Sequence, residues 1–158
     1  MTILKLDHVA IVVEDLAAAQ QFYHDHLGLS VSRVERLDDQ EVTIAFMPAG
    51  ESQVELLEPT NDTSGVAKYL QKRGPGIHHI CLEVDDIGAA LADLKVKGAQ
   101  LIHEVPVTAS DGTRFAFIHP KSAFGVLLEL YERPETGKRN GGLLAAVRAG
   151  LEAFRKAL

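Results

Sequence analysis

The chain has 158 residues, 46% of them hydrophobic, with a formal net charge of −6 and one cysteine, Cys81. That length and apolar share suit one compact domain or two small fused modules. The acidic balance and the lack of a long basic run exclude a nucleic-acid surface, the apolar runs are too short to span a bilayer, and a lone cysteine rules out a disulfide framework.

The first segment, MTILKLDHVAIVV, has neither a basic start nor a small-residue cleavage site, so a secretory leader is not expected. A strand is predicted over Leu4 to Val13. Asp15 then suits an N-cap, an Ala-rich helix follows, and Gly28 suits the left-handed C-terminal cap. Strands are predicted at Leu29 to Val34, Val42 to Met47 and Gln53 to Leu57. Asp62, Thr63 or Ser64 can cap a short helix to about Arg73, which Gly74-Pro75-Gly76 breaks.

The pattern then recurs. A strand over Ile77 to Val84 is followed by a cap at Asp86, a helix ending at Gly98, and strands at Gln100 to Val105, Arg114 to Ile118 and Val126 to Tyr131. Cys81 falls within the first of these strands, where a small buried hydrophobe is expected, in keeping with a reducing cytoplasm. After Pro134 comes a polar linker, and Leu144, Val147, Leu151, Phe154 and Leu158 then recur at helical spacing.

HVAIVVEDLAAAQ from His8 aligns with HICLEVDDIGAAL from His79, an offset of 71. Gly28 answers Gly98, and QVELLEP answers VLLELYERP, pairing Glu55 with Glu129. Three matches in order at a nearly constant offset indicate a duplicated βαβββ module. Module one covers 4–59, the linker helix 60–75 and module two 76–134, with the tail at 135–158.

Strand parity gives the repeat a chemical content. Leu6, His8 and Ala10 share one face, and Glu55 and Glu129 each sit between residues that face a helix. A carboxylate in an apolar strand is costly to desolvate without a cation or hydrogen bonds. Pseudo-twofold packing of the copies would bring His8, Glu55, His79 and Glu129 to a common cavity. Two imidazoles and two carboxylates suit a divalent ion of intermediate hardness such as Co²⁺, Mn²⁺, Ni²⁺ or Zn²⁺, and Co²⁺ is the ion expected. His78 has opposite parity to His79 and is expected to be scaffold. His119 is expected to serve its own turn. Lys68, Lys72 and Lys121 could meet an anion or be plain surface charge.

At these residues the chain resembles the vicinal oxygen chelate superfamily and, within it, the methylmalonyl-CoA epimerases. LDHVAIVVEDLAAAQQFYHDHLGL, VELLEPTNDTSGVAKYLQKRGPGIHHICLEVDDI and HPKSAFGVLLEL carry the likeness, over roughly residues 4 to 133. The resemblance implies an α+β fold in which tandem βαβββ modules form a cupped mixed sheet around a metal. It implies His8, Glu55, His79 and Glu129 as ligands, an acyl-CoA substrate, a homodimer, and epimerisation at C2 through a metal-stabilised enolate. Glu129 would be one catalytic base. Some relatives carry a further glutamate on the strand after the first helix, but this chain has Thr43 or Ile44 there. Glu41 is the one carboxylate in that stretch and a candidate second base, beside a metal-bound water or another residue. Other readings on the same scaffold are a lactoylglutathione lyase of the glyoxalase I type, a non-catalytic binder and an extradiol-type dioxygenase.

Overall fold

A computed structural model of the chain describes residues 1–109 and 111–134, together with positions 149 and 152. The fold is α+β, with strands in mixed parallel and antiparallel pairing and three helices among the described residues. The chain falls into two compact units, residues 7–78 and residues 1–6 with 79–158. The helix expected in the 135–158 tail lies outside the described residues, positions 149 and 152 apart. No helix among the described residues is long and apolar enough to cross a membrane.

In the unit of residues 7–78, β1 (Ile3–Val12, beginning in the other unit) is followed by α1 (Leu16–Leu27), β2 (Arg33–Leu37), β3 (Val42–Ala49), β4 (Ser52–Pro59) and α2 (Gly65–Arg73). The strand order is β2-β3-β4-β1, with β1 parallel to β4 and the other pairs antiparallel. The second unit holds β5 (Gly76–Val84, whose first residues lie in the other unit), α3 (Ile87–Val96), β6 (Val107–Thr108), β7 (Arg114–Ile118) and β8 (Leu127–Glu132). Its order is β5-β8-β7-β6, with β5 parallel to β8. The two orders are the same when the strands are numbered from the start of each repeat.

The helix ends follow their caps. Asp15 accepts from the Ala18 N–H and Asp86 from the Ala89 N–H, each at 2.9 Å, satisfying a first-turn donor. A second carboxylate supports each helix start. Glu58 of β4 accepts from the Leu16 N–H at 3.0 Å, and Glu132 of β8 from the Ile87 N–H at 2.7 Å. Gly28 (φ 70°) and Gly98 (φ 80°) turn the chain out of the helices through a conformation that costs a side-chain-bearing residue energy. Asp15→Ala or Asp86→Ala is expected to lower stability by about 1 kcal/mol, measured by chemical denaturation, with little effect on catalysis.

Each sheet buries one face against its helix. In the first unit Leu16 packs with Ala45, Met47 and Leu56, flanked by Ile11, Val13 and Val54. In the second, Ile87, Ala90 and Leu91 pack with Val84, Ala116, Ile118 and Leu130. Because strand side chains alternate, these lists fix the opposite face. It carries His8, Ile44, Phe46 and Glu55 in one unit, and His79, Cys81, Phe117 and Glu129 in the other.

Three boundaries or placements differ from the sequence expectation. β2 begins at Arg33, not Leu29, because pairing further up would bring Pro48 of β3 into the ladder, and proline has no N–H to give. Leu29 and Val31 instead pack beside α1. Where Gln100 to Val105 was expected to be a strand, only Leu101 bridges, to Ile118. Pro106 interrupts the ladder, and the His103 ring accepts the Phe117 N–H at 3.2 Å, in place of a backbone carbonyl. Leu6, expected to face inward with His8, is exposed.

Candidate metal centre

The repeat produces two His–Glu pairs with the same register. In β1 and β4, Glu55 stands opposite Ala10, two residues beyond His8. In β5 and β8, Glu129 stands opposite Cys81, two residues beyond His79. A phenylalanine faces each glutamate from the antiparallel neighbour: Phe46 opposite Glu55 and Phe117 opposite Glu129. His8 Nδ1 lies 3.8 Å from Glu55 Oε1, and His79 Nε2 lies 3.3 Å from Glu129 Oε2. Both glutamates are fully shielded from solvent, as are both imidazoles to within 1%. Two ligands at right angles on one ion, each about 2.1 Å away, stand about 3 Å apart. The His79–Glu129 pair is spaced as two neighbouring ligands would be, whereas His8 and Glu55 stand wider, and Glu55 Oε1 already accepts from Gln53. Buried carboxylates without a counter-charge are strongly disfavoured, so this donor set fits a divalent cation.

Gln53 was not singled out in the sequence. Its Nε2 donates to Glu55 Oε1 at 2.9 Å, and it is itself buried. The only sequence signal was its place two residues before Glu55, hence on the same face. Module two has Leu127 at the corresponding register position, so this brace is particular to Glu55.

His78 points to the helix side of β5, as parity requires. Its ring lies 5.4 Å from that of Tyr69 on α2, whose hydroxyl donates to the Ile77 carbonyl. Burial, with a smaller contribution from the charge of Arg73, pushes the His78 imidazole down to about 3, so it is neutral at working pH. His78→Phe is expected to cost about 1–3 kcal/mol of stability by removing a buried polar group, while metal content and turnover stay within a few-fold of wild type. His119 caps the short turn Pro120–Ser122, its ring accepting the Lys121 N–H at 3.0 Å. Lys68, Lys72 and Lys121 are exposed.

Glu41 is not brought to Glu55. It sits in the turn before β3 with φ 54°, its carbonyl accepting from the Thr60 N–H. Phe46, the residue opposite Glu55, is five positions further along β3, about 17 Å away. The left-handed turn also takes Glu41 out of the strand's alternation, so parity does not aim it at the glutamate face.

Residues 7–117 match the model of the glyoxalase/bleomycin resistance protein/dioxygenase superfamily, and the chain belongs to that superfamily. It is 42% identical to human mitochondrial methylmalonyl-CoA epimerase, over 80% of this chain and 72% of that one. It is 41% identical to the ethylmalonyl-CoA/methylmalonyl-CoA epimerase of Cereibacter sphaeroides, over 80% of this chain and 96% of that one. A solved methylmalonyl-CoA epimerase in complex with methylmalonyl-CoA and NH4+ superimposes with a TM-score of 0.71 at 35% identity, covering 85% of this chain and 97% of that one. Within the superfamily the chain belongs to the methylmalonyl-CoA epimerase family. A probable lactoylglutathione lyase from Synechocystis is more distant, at 32% identity over 77% of this chain and 91% of that one.

Proposed function

We propose that the protein inverts C2 of methylmalonyl-CoA and that His8, Glu55, His79 and Glu129 together hold one divalent cation for that reaction. The observation that carries this reading is the pair of buried, identically registered His–Glu couples, one from each repeat. His8, His79 and Glu129 each offer a ligand atom. Glu55 lies outside that group of three and would complete the set as the fourth ligand; mixed imidazole and carboxylate donors suit Co²⁺, our choice, as well as Mn²⁺, Ni²⁺ or Zn²⁺. A bound cation would supply Lewis-acid stabilisation of the charge that develops on the thioester oxygen as C2 loses its proton.

The chain's own residues do the rest. Glu129 takes the C2 proton of one enantiomer. Phe117 and Leu127, both buried on its face of the sheet, exclude water that would compete for its oxygens. Gln53 fixes Glu55 through its hydrogen bond. Lys68 and Lys72, on the exposed side of α2, offer positive charge to the coenzyme A phosphates. The exposed apolar side chains Ile3, Leu4 and Leu6 at the start of β1 suit burial in a homodimer. A chain with a single, buried cysteine agrees with a cytoplasmic setting.

Metal-reconstituted protein given single enantiomers of methylmalonyl-CoA in D₂O should produce the opposite enantiomer with deuterium at C2, and should form no lactoylglutathione from the glutathione hemithioacetal of methylglyoxal. Formation of lactoylglutathione without inversion would overturn the assignment.

A further inference from the structure

Inversion requires a proton acceptor on each face of C2. Glu129 supplies one, and the structure takes Glu41 away from the other. We infer that Glu35 is the second acid/base, held in place by Arg33; this rests on the epimerase reading above. The inference comes from register. Glu35 stands opposite Ile44, and Arg33 opposite Phe46, while Phe46 and Ile44 in turn stand opposite Glu55 and Leu57. Directly opposed residues in an antiparallel pair project to the same side. Arg33, Phe46 and Glu55 therefore form one row on the face away from α1, and Glu35, Ile44 and Leu57 the next.

On the four strands of this unit, Glu55 and Glu35 are the carboxylates of that face. Glu58, of opposite parity, is engaged with the start of α1. Glu35 lies two strands across and two residues along from Glu55, about 12 Å between backbones, a gap that a bound acyl group and the carboxylate arm can fill together.

Its surroundings suit proton transfer. Arg33 Nε lies 2.7 Å from Glu35 Oε1, and the same guanidinium stacks over the Phe46 ring, 3.9 Å from its centroid. One carboxylate oxygen is thus fixed through a cation that is itself fixed on the aromatic residue opposite Glu55. The other oxygen makes no bond among the described residues. The Glu35 side chain is 28% exposed, enough to exchange a proton with solvent between turnovers. The plain alternative is an edge-strand ion pair that serves only solubility.

In the step, the free oxygen of Glu35 takes the C2 proton of one enantiomer. The electron pair left at C2 spreads onto the thioester oxygen. The carboxylic acid form of Glu129 then delivers a proton to the opposite side. In the reverse direction the two glutamates exchange roles, and no oxidant, reductant or further reactant is needed. Arg33 acts as a positioning residue.

The test follows each enantiomer separately in D₂O. Glu35→Gln is expected to slow inversion at least about 10²-fold. The enantiomer deprotonated by Glu129 should still exchange its C2 hydrogen, with configuration retained, within about tenfold of the wild-type rate, while the other enantiomer stops exchanging. Arg33→Gln should lower kcat with KM unchanged for that second enantiomer alone, and Arg33→Lys should restore part of the loss. Undiminished inversion by Glu35→Gln overturns the proposal. So does equal loss of exchange from both enantiomers in a variant whose melting temperature and cobalt content match wild type. Wild-type protein that inverts neither enantiomer would instead sink the epimerase reading.

Discussion

Replacing His79 with alanine is expected to abolish the proposed binding of a divalent ion and, with it, nearly all turnover. The imidazole is buried in the middle of β5, 3.3 Å from Glu129. A Lewis acid on the thioester oxygen contributes several kcal/mol to the barrier. Losing about 4 kcal/mol slows the reaction about 10³-fold. Elemental analysis of dialysed protein and a stereospecific assay read the two losses together. His8→Ala should behave alike, because His8 holds the equivalent place in the first repeat. His78→Phe, one residue away but on the other face of the strand, should keep both metal and turnover. A His79→Ala variant with wild-type activity would show that the imidazole is structural.

Glu129→Gln should do something different: retain the ion but lose proton transfer. The amide keeps an oxygen for the cation and the same shape, yet it cannot accept a proton from C2. General-base contributions of about 10²–10⁴ set the expected fall in kcat. The informative comparison is Glu55→Gln, an equal chemical change at the equivalent position of the other repeat. Gln53 already donates to Glu55 Oε1, and an amide oxygen at residue 55 can accept that bond as a carboxylate does. Glu55→Gln should therefore stay within about tenfold of wild type. If both variants lost activity equally with cobalt still bound, the distinction between a holding and a reacting glutamate would fail.

The pairing of His8 with Glu55 and of His79 with Glu129 could be read from the repeat, because each position predicts its counterpart. The helix starts at Asp15 and Asp86 were legible for a local reason: a short carboxylate before an apolar, Ala-rich run satisfies the first-turn donors wherever the helix docks. β2 and β6 were less legible because their limits depend on partners distant in sequence. Pro48 on β3 decides where β2 can begin pairing, and the His103 ring takes a hydrogen bond that a strand reading gives to backbone. That shift had a chemical consequence. A strand placed at Leu29 to Val34 leaves Glu35 outside the sheet, whereas the observed register puts it on the glutamate face opposite Ile44. Glu41 was the reverse case, a carboxylate close to the right strand in sequence but carried away by a left-handed turn.

The most direct test of the central claim is an anomalous-difference map from crystals of the Co²⁺-loaded protein. One peak per chain is expected, with atoms of His8, Glu55, His79 and Glu129 each about 2.0–2.2 Å from it. A map with no peak, or with the ion held by residues from one repeat alone, would contradict the proposal that both repeats supply a single metal centre.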